Sequence, residues 1–350
     1  MLTGSIVTIP VRITNRQRAR NPLQIFVLFS YATHLSEFLE VLPLSQSQSP
    51  PLPTQIRGLI RLTRWKEFVP FVLPLTLCGA LLAARPNNEL LDWRLIAVGI
   101  ANVLAVAYAF MINDIEDAPD DARDPDRAAR NPITTGEISS RFGYAACRLV
   151  AAVTLLAYAL CGIEVFLIGL VTLLLSHLYS WRLVRLKAYP ITDVLSHSLM
   201  LSGLLLLTGY FVYDNSPGIV WFIAIGVSLF SAYGQLYNQL RDYDMDKAAG
   251  LHNTAILIGE RNTKYIMYGA IGLGVACLLI SVLGGAFPVW LGLVLLASIG
   301  VVAVFRPKTD MRGGAAVDIS GSIQVQFIMA MNIVVVAWLF EQIARQLSVI

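Results

Sequence analysis

Charge is what this chain is short of. Only 14% of its 350 residues are Asp, Glu, Lys or Arg, against 56% hydrophobic residues, and the mean hydropathy is +0.64. A soluble globule carries about 25% charged residues, so this chain lacks the polar surface to face water on all sides. The same scarcity excludes an intrinsically disordered protein, which needs low hydrophobicity and high charge. Cysteine is scarce too. Cys78, Cys147, Cys161 and Cys277 all lie in apolar runs, with no CxxC pair and no histidine at zinc-ligand spacing. That excludes a disulfide-stapled scaffold and leaves the four as small buried hydrophobes. Acidic residues are missing from the start of the chain, where Arg12, Arg16, Arg18 and Arg20 all precede Glu37.

What the chain does have is long apolar runs. Nine stretches, at about 68–84, 95–112, 142–160, 163–180, 191–213, 218–237, 265–286, 288–305 and 322–341, are long and apolar enough to cross a bilayer. Lipid cannot satisfy a backbone amide, so segments of this kind must be helices. The expected fold is therefore all-α: a polytopic membrane protein of nine transmembrane helices around a central cavity. Basic residues set its orientation. The N-terminal segment and the loops after spans two, four, six and eight hold 22 of the 26 Lys and Arg residues, and the opposite side holds Arg85, Arg94 and Arg345. By the positive-inside rule the first set faces the cytoplasm.

Residues 1–56 stand apart. They read as a basic extension with little order, ending in a Pro/Ser/Gln linker over Pro43–Pro53, with a surface helix possible at 23–42. An Arg-rich, acid-poor start suits an organellar targeting segment, a disordered basic tail or a mis-assigned start codon alike. Residues 57–350 form the membrane domain.

The informative carboxylates lie at two helix ends. Span two closes with Tyr108, Asn113, Asp114, Asp117, Asp120 and Asp121; span six closes with Tyr233, Asn238, Asp242 and Asp246. At an offset of 125 residues both read Tyr-x4-Asn-x3-Asp-x3-Asp, an internal repeat. Four spans separate the two, so both clusters face the cytoplasm. Side chains at i, i+4 and i+8 share one helix face, drifting about 40° per step. A helix C-terminus is already the negative end of the dipole, so carboxylates stacked there repel it and each other. A divalent cation removes both penalties, and Asp and Asn oxygens are hard ligands suited to Mg2+, which keeps waters and recruits phosphate oxygens. Pro119 is expected to break the first helix and hand Asp120 and Asp121 to a loop; the second should stay helical until Gly250 caps it. Carboxylates beyond a span are ordinarily solvated loop charges, and that reading is kept for the unpaired Glu116, Asp124, Asp126 and Asp244.

The runs Asn113-Asp114-x2-Asp117-x3-Asp121 and Asp242-x3-Asp246-x3-Gly250 resemble the two aspartate-rich motifs of the UbiA-type intramembrane prenyltransferases. Arg130-Asn-Pro132-Ile-Thr-Thr-Gly136-Glu-Ile-Ser139 is similar to the family's Arg-Pro-Leu-x-x-Gly-x-Ile-Ser stretch, with Asn131 inserted, and Tyr179-Ser180 with Arg185-Leu-Lys187 is similar to its segment after span four. The resemblance covers about residues 57–341. It implies an enzyme that transfers a prenyl group from a polyprenyl diphosphate to an aromatic or lipid acceptor within the membrane, with Mg2+ as cofactor. It further implies metal ligation by Asn113, Asp114, Asp117, Asp121, Asp242 and Asp246, although the repeat mate of Asp114 is Gln239. Asp117, Asp242, Arg185 and Lys187 would be catalytic. Arg64, Tyr179, Arg185, Lys187 and Asn238 would contact substrate, with Arg61 and Lys66 competing with Arg64 for the inward position.

Ordinary readings stand beside these. Arg185 and Lys187 also suit positive-inside anchors, Tyr108 and Tyr179 interfacial anchors, His177 a hydrogen-bonded packing residue, and Asp193 a helix-capping carboxylate. The rival functions are a membrane terpene cyclase of the same family, which needs no acceptor, and a transporter, which would place its charges near the midplane. Membrane lipid is the expected surrounding, in a cell inner membrane or an organelle. No nucleic acid and no obligate protein partner is expected.

Overall fold

The computed structural model describes residues 50–84, 90, 92–248, 250–304 and 309–347. Two units, Met1–Ser49 and Pro50–Ile350, make up the chain, and all described residues belong to the second. The expectations for the basic start, the helix at 23–42 and most of the linker lie outside the described residues.

A short helix α1 (Leu52–Thr63) begins inside the segment read as linker. Pro53 sits in its first turn, where a missing N–H costs nothing. Membrane-length helices follow: α2 (Trp65–Ala83), α3 (Trp93–Asp121), α5 (Ser140–Cys161), α6 (Ile163–Ser180), α7 (Thr192–Phe211), α8 (Val220–Arg241), α11 (Glu260–Leu283) and α13 (Ile319–Gln346). Shorter helices lie between them: α4 (Pro125–Arg130), α9 (Tyr243–Ala248), α10 (Thr254–Ile258) and α12 (Trp290–Val302). Among the described residues, then, eight helices are long and apolar enough to cross a membrane, not nine. The expected eighth span, 288–305, is the 13-residue α12. At 1.5 Å per residue it reaches about 20 Å, short of the roughly 30 Å hydrocarbon core.

The spans wear their apolar side chains outward. Leu149, Leu156 and Leu160 along α5 are 65%, 62% and 59% exposed, which is tolerable only in lipid. Inside, the helices are joined by small residues and polar hubs, as expected where no hydrophobic force drives helix on helix. Gly79 of α2 and Gly209 of α7 face each other's backbones: a Cβ at Gly79 would stand 2.0 Å from the Leu206 carbonyl, and one at Gly209 would stand 2.3 Å from that of Thr76. No larger residue fits either position. Next to them the buried Asn102 of α3 donates to Thr76 Oγ1 (2.7 Å) and to the Leu205 carbonyl (3.0 Å), and accepts from Tyr158 (2.7 Å) and Thr208 (2.9 Å). One amide thus ties α2, α3, α5 and α7 together with its hydrogen-bonding capacity used.

The last span closes onto the first. Pro74 inside α2 cannot donate to the Pro70 carbonyl, and Asn332 of α13 fills that gap with a hydrogen bond of 2.9 Å. Asn332→Ala is expected to destabilise the protein by about 1 kcal/mol, the worth of one hydrogen bond, measured as a lower thermal midpoint in detergent. Asn332→Gln should recover part of the loss.

The ends of the two acid-bearing helices differ from expectation. Pro119 does not break α3, which runs on to Asp121. Proline removes one hydrogen bond, and three residues from a C-terminus that loss is small. Conversely α8 stops at Arg241, well before Gly250, and Asp242 takes the bridge conformation (φ −93°, ψ 8°) ahead of α9. The hydrogen-bond ladder carries across this joint, from Asp242 N to the Asn238 carbonyl (3.1 Å) and from Asp246 N to the Asp242 carbonyl (2.8 Å). Asn238, Asp242 and Asp246 therefore keep their one-turn spacing. Gly250, at φ +69°, closes α9 instead.

Candidate active site

In α3 the period of four puts Asn113, Asp117 and Asp121 on one face, and each meets a partner from a following loop. Asn113 Oδ1 accepts from Lys187 Nζ (2.8 Å) and Ser180 Oγ (3.1 Å). Lys187 also reaches Asp117, and Arg185 bridges Asp117 (3.2 Å) and Asp120 (2.9 Å). The loop presenting these cations is held under strain. Arg185 has φ 46° and Ile191 has φ 72°, conformations that non-glycine residues, β-branched ones above all, adopt only when the surroundings impose them. Burial pushes the Lys187 ammonium below its ordinary range, against the pull of Asp117. Lys187, half-buried, thus sits between oxygens of two first-cluster residues, Asn113 and Asp117.

Asp114 turns the other way and lies 3.4 Å from Arg64. Arg64, at φ 51°, joins α1 to α2; it pairs with Glu67 (2.6 Å) and lies over the Phe110 ring, 4.7 Å from its centroid. Burial opposes its charge, but Glu67 and Asp114 outweigh burial and hold the guanidinium above its usual value. Of the three basic candidates ahead of span one, Arg64 is thus the one that meets the cluster. Arg61 instead pairs with Glu137.

The second cluster has its own cations. Arg241 grips Asp242 with Nε and Nη2 (3.0 and 3.2 Å) and reaches Asp310 (3.2 Å). Asp246 accepts from Asn253 (2.8 Å), while partial burial and the Asp242 charge push its carboxyl up. Asn238 is half-buried one turn before Asp242. The two clusters share neighbours: Arg127 acts electrostatically on both Asp121 and Asp246, and Arg312 on both Asp242 and Arg64. Tyr179 lies within the field of Asp117, and its hydroxyl accepts from Gln235 of α8 (3.2 Å). Both acidic ends therefore converge on one side of the molecule.

Several contributors escape sequence reasoning. Asn131, the residue inserted into the basic stretch, is only 2% exposed and donates to Asp121 (2.9 Å) and to the Asp114 carbonyl (2.7 Å). It does for Asp121 what Asn253 does for Asp246, so the repeat extends into the loops at a slightly different offset. Arg312 is the clearest omission. It comes from the loop before α13, where the charges of Arg241 and Asp242 act on its guanidinium in opposite directions.

Other residues depart from their ordinary readings. Glu116 is not a solvated loop charge: it is 6% exposed and accepts from Tyr144 Oη (2.8 Å) and Arg182 N (3.2 Å), pinning the start of the basic loop to the back of α3. Asp124 caps α4 by accepting from Asp126 N and Arg127 N. Asp193 does more than cap. Fully buried, it accepts from Gln239 Nε2 (2.7 Å) and from the backbone and hydroxyl of Thr254. Gln239, which also accepts from Ala255 N (3.0 Å), is thereby a strut and not a ligand, which explains why the repeat loses its carboxylate at this position. His177 is a packing residue bonded to Tyr108 (3.0 Å).

The donor set of Asn113, Asp117, Asp121, Asp242 and Asp246 is oxygen only, the chemistry that hard divalent ions select. Among the described residues no three acidic, His or Cys side chains crowd together tightly enough to enclose a bare ion. Such a site fits Mg2+, which binds through one or two carboxylates and completes its shell with water and phosphate oxygens.

The model of the UbiA prenyltransferase family matches residues 72–321. A lycopene elongase/hydratase of Haloarcula japonica is 29% identical over 230 residues, covering 62% of this chain and 72% of that protein. A 4-hydroxybenzoate octaprenyltransferase of Pseudomonas fluorescens is 27% identical over 248 residues, covering 70% and 80%. A structure of a UbiA homolog from Archaeoglobus fulgidus bound to GPP and Mg2+ superposes with a TM-score of 0.62 at 22% identity, over 80% of this chain and 99% of that one.

Proposed function

Starting from the chain's membership of the UbiA prenyltransferase family, we propose that it is a Mg2+-dependent enzyme transferring a prenyl group from a polyprenyl diphosphate to a hydrophobic or aromatic acceptor inside the membrane. The observation that carries this reading is the convergence of two matched aspartate clusters, each already fitted with cations, on one side of a multi-pass helical bundle. The Archaeoglobus homolog with GPP and Mg2+ bound and the two named relatives, each an enzyme of isoprenoid chemistry, support it. The distribution of Lys and Arg supports a site on the cytoplasmic side.

Asn113, Asp117 and Asp121 on one helix end, and Asp242 and Asp246 on the other, would hold the ions. When bound, Mg2+ supplies Lewis acidity to the departing diphosphate. The chain's own part is electrostatic preorganisation. Lys187, Arg185 and Arg312 offer fixed positive charge where negative charge grows as the allylic C–O bond breaks, and Arg185 in particular presents the planar fork that suits phosphate oxygens. Lys187 and Arg185 rest on carboxylates in the absence of substrate, so binding exchanges one anionic partner for another at little cost in reorganisation. Tyr179 borders the path of the allylic cation, which an aromatic face stabilises.

The test is incubation of membranes or purified protein with labelled prenyl diphosphates of several lengths. An acceptor panel that includes 4-hydroxybenzoate and lycopene is supplied, and lipid products are identified by mass spectrometry. A prenylated acceptor is expected, and chelation by EDTA should suppress its formation at least a hundredfold, with Mg2+ restoring it. A cyclic hydrocarbon formed from prenyl diphosphate alone would establish the cyclase instead.

A further inference from the structure

The 125-residue offset that relates the two acidic helix ends carries further along the chain. It also sets Lys187 on Arg312 and Asp193 on Asp318, so Lys-x5-Asp in the first half answers Arg-x5-Asp in the second. The fold repeats in step. Helices α5 and α6 separate the end of α3 from the loop of Lys187, and α11 and α12 separate the end of α8 from the loop of Arg312. In each half the Asp of the pair stands where the next span begins, Asp193 in the first turn of α7 and Asp318 capping α13. A loop cation matched to the acidic helix end is thus a property of both halves. In the first half it is engaged, with Lys187 reaching Asn113 (2.8 Å) and Asp117.

Arg312 is not engaged. Arg241 already holds Asp242 and Asp310, and the exposed Arg312 guanidinium makes no ion pair or hydrogen bond with the described residues. Its backbone is nevertheless fixed. The buried Asp310 accepts from Arg312 N (2.9 Å) and Gly314 N (3.2 Å), and Arg241 secures the other oxygen of Asp310 (3.2 Å). The turn is therefore fastened to the helix of the second cluster. From it Arg312 lies within the field of Asp242, and of Arg64, which meets Asp114 of the first half. A fixed guanidinium without a partner offers its planar fork to phosphate oxygens.

We propose that each half of the repeat takes one phosphate of the substrate, Lys187 with the first cluster and Arg312 with the second, so that Arg312 sets the preference for a diphosphate over a monophosphate. The assignment rests on the prenyl-transfer reading. A diphosphate is two like groups joined through one oxygen, and a receptor of two like halves meets it at both ends. A monophosphate fills one half and leaves the other without a ligand. The halves differ in one respect: Lys187 has to exchange Asp117 for the substrate, whereas Arg312 has no carboxylate to give up.

The experiment measures binding of geranyl diphosphate and of geranyl monophosphate, each with Mg2+, by titration calorimetry on purified protein in detergent. Wild type is compared with Arg312→Gln, Arg312→Lys and a control for bulk charge, Arg261→Gln, at an exposed position in the first turn of α11. Arg312→Gln is expected to weaken geranyl diphosphate about thirtyfold, the worth of one charge-assisted hydrogen bond. Geranyl monophosphate, which still has the Lys187 half, should keep near its wild-type affinity. Arg312→Lys retains the charge without the fork and should keep part of the preference, and Arg261→Gln should keep all of it. A Gln variant with wild-type preference overturns the assignment, as does an equal loss for both ligands or the same loss in the Arg261 control. A Gln variant that fails to fold shows a structural role and overturns it too. In those cases the wild type still binds geranyl diphosphate, and the prenyl-transfer reading stands. A wild type that binds both ligands alike overturns the assignment alone, and one that binds neither overturns the prenyl-transfer reading with it.

Discussion

Replacing Asp117 or Asp242 by Asn is expected to cut turnover by about a thousandfold or more, the scale seen when one preorganised electrostatic contact at a reacting centre is removed. The change is nearly isosteric and removes one negative charge. At Asp117 the loss is double. An oxygen ligand of the first cluster weakens, and Arg185 and Lys187, which rest on that carboxylate, are left to compete for the diphosphate in unproductive positions. At Asp242 the partner set free is Arg241, which still has Asp310, so the fold is expected to tolerate the change. Asp244 is the matched control. It lies two residues from Asp242 but is exposed, and Asp244→Asn should retain near-wild-type activity. Measured side by side by product formation, equal rates for all three variants would remove the aspartate clusters from the chemistry.

Asp193→Ala is expected to have the largest effect on stability, about 3 kcal/mol or more, because it strands several buried donors at once. Gln239 Nε2, Thr254 N and the Thr254 hydroxyl all converge on that carboxylate. The same Thr254 hydroxyl accepts from the amide of the strained Ile191 (2.7 Å). The loop between α9 and α11, the start of α7 and the end of α8 are thus one assembly. Its failure should also loosen Asn253, next to Thr254, which fixes Asp246. Thermal unfolding in detergent should show the midpoint drop, and a variant as stable as wild type would show the hub to be dispensable. Gln239→Ala, which removes one of these donors together with an acceptor, should cost less.

Much of the candidate site is legible in the chain because its information is local and periodic. Carboxylates four residues apart must share a helix face, and the repeat of that pattern marks it as more than loop charge. Arg185 and Lys187 are legible only through the resemblance, because their position after a span suits a positive-inside anchor equally. What escapes is whatever depends on two distant segments meeting. Asn131 looks like an insertion until it is seen reaching back to Asp121. Arg312 looks like one more basic loop residue, and Asp193 like a simple cap. The proline rule fails at Pro119 since it says what a proline removes and not how little that matters at a helix end. The length of α12 fails for a related reason, because apolar composition alone does not show where hydrogen bonding stops.

The pairing of every first-cluster carboxylate with a resident donor has a bearing on handling. Zinc fingers collapse when stripped because metal binding supplies their folding free energy. Here Lys187, Arg185 and Arg64 already supply positive charge, and Asn131 a hydrogen bond. Prolonged dialysis against chelator should therefore yield a silent but intact protein that keeps its helical circular dichroism spectrum, and ion replenishment should revive it without any refolding step.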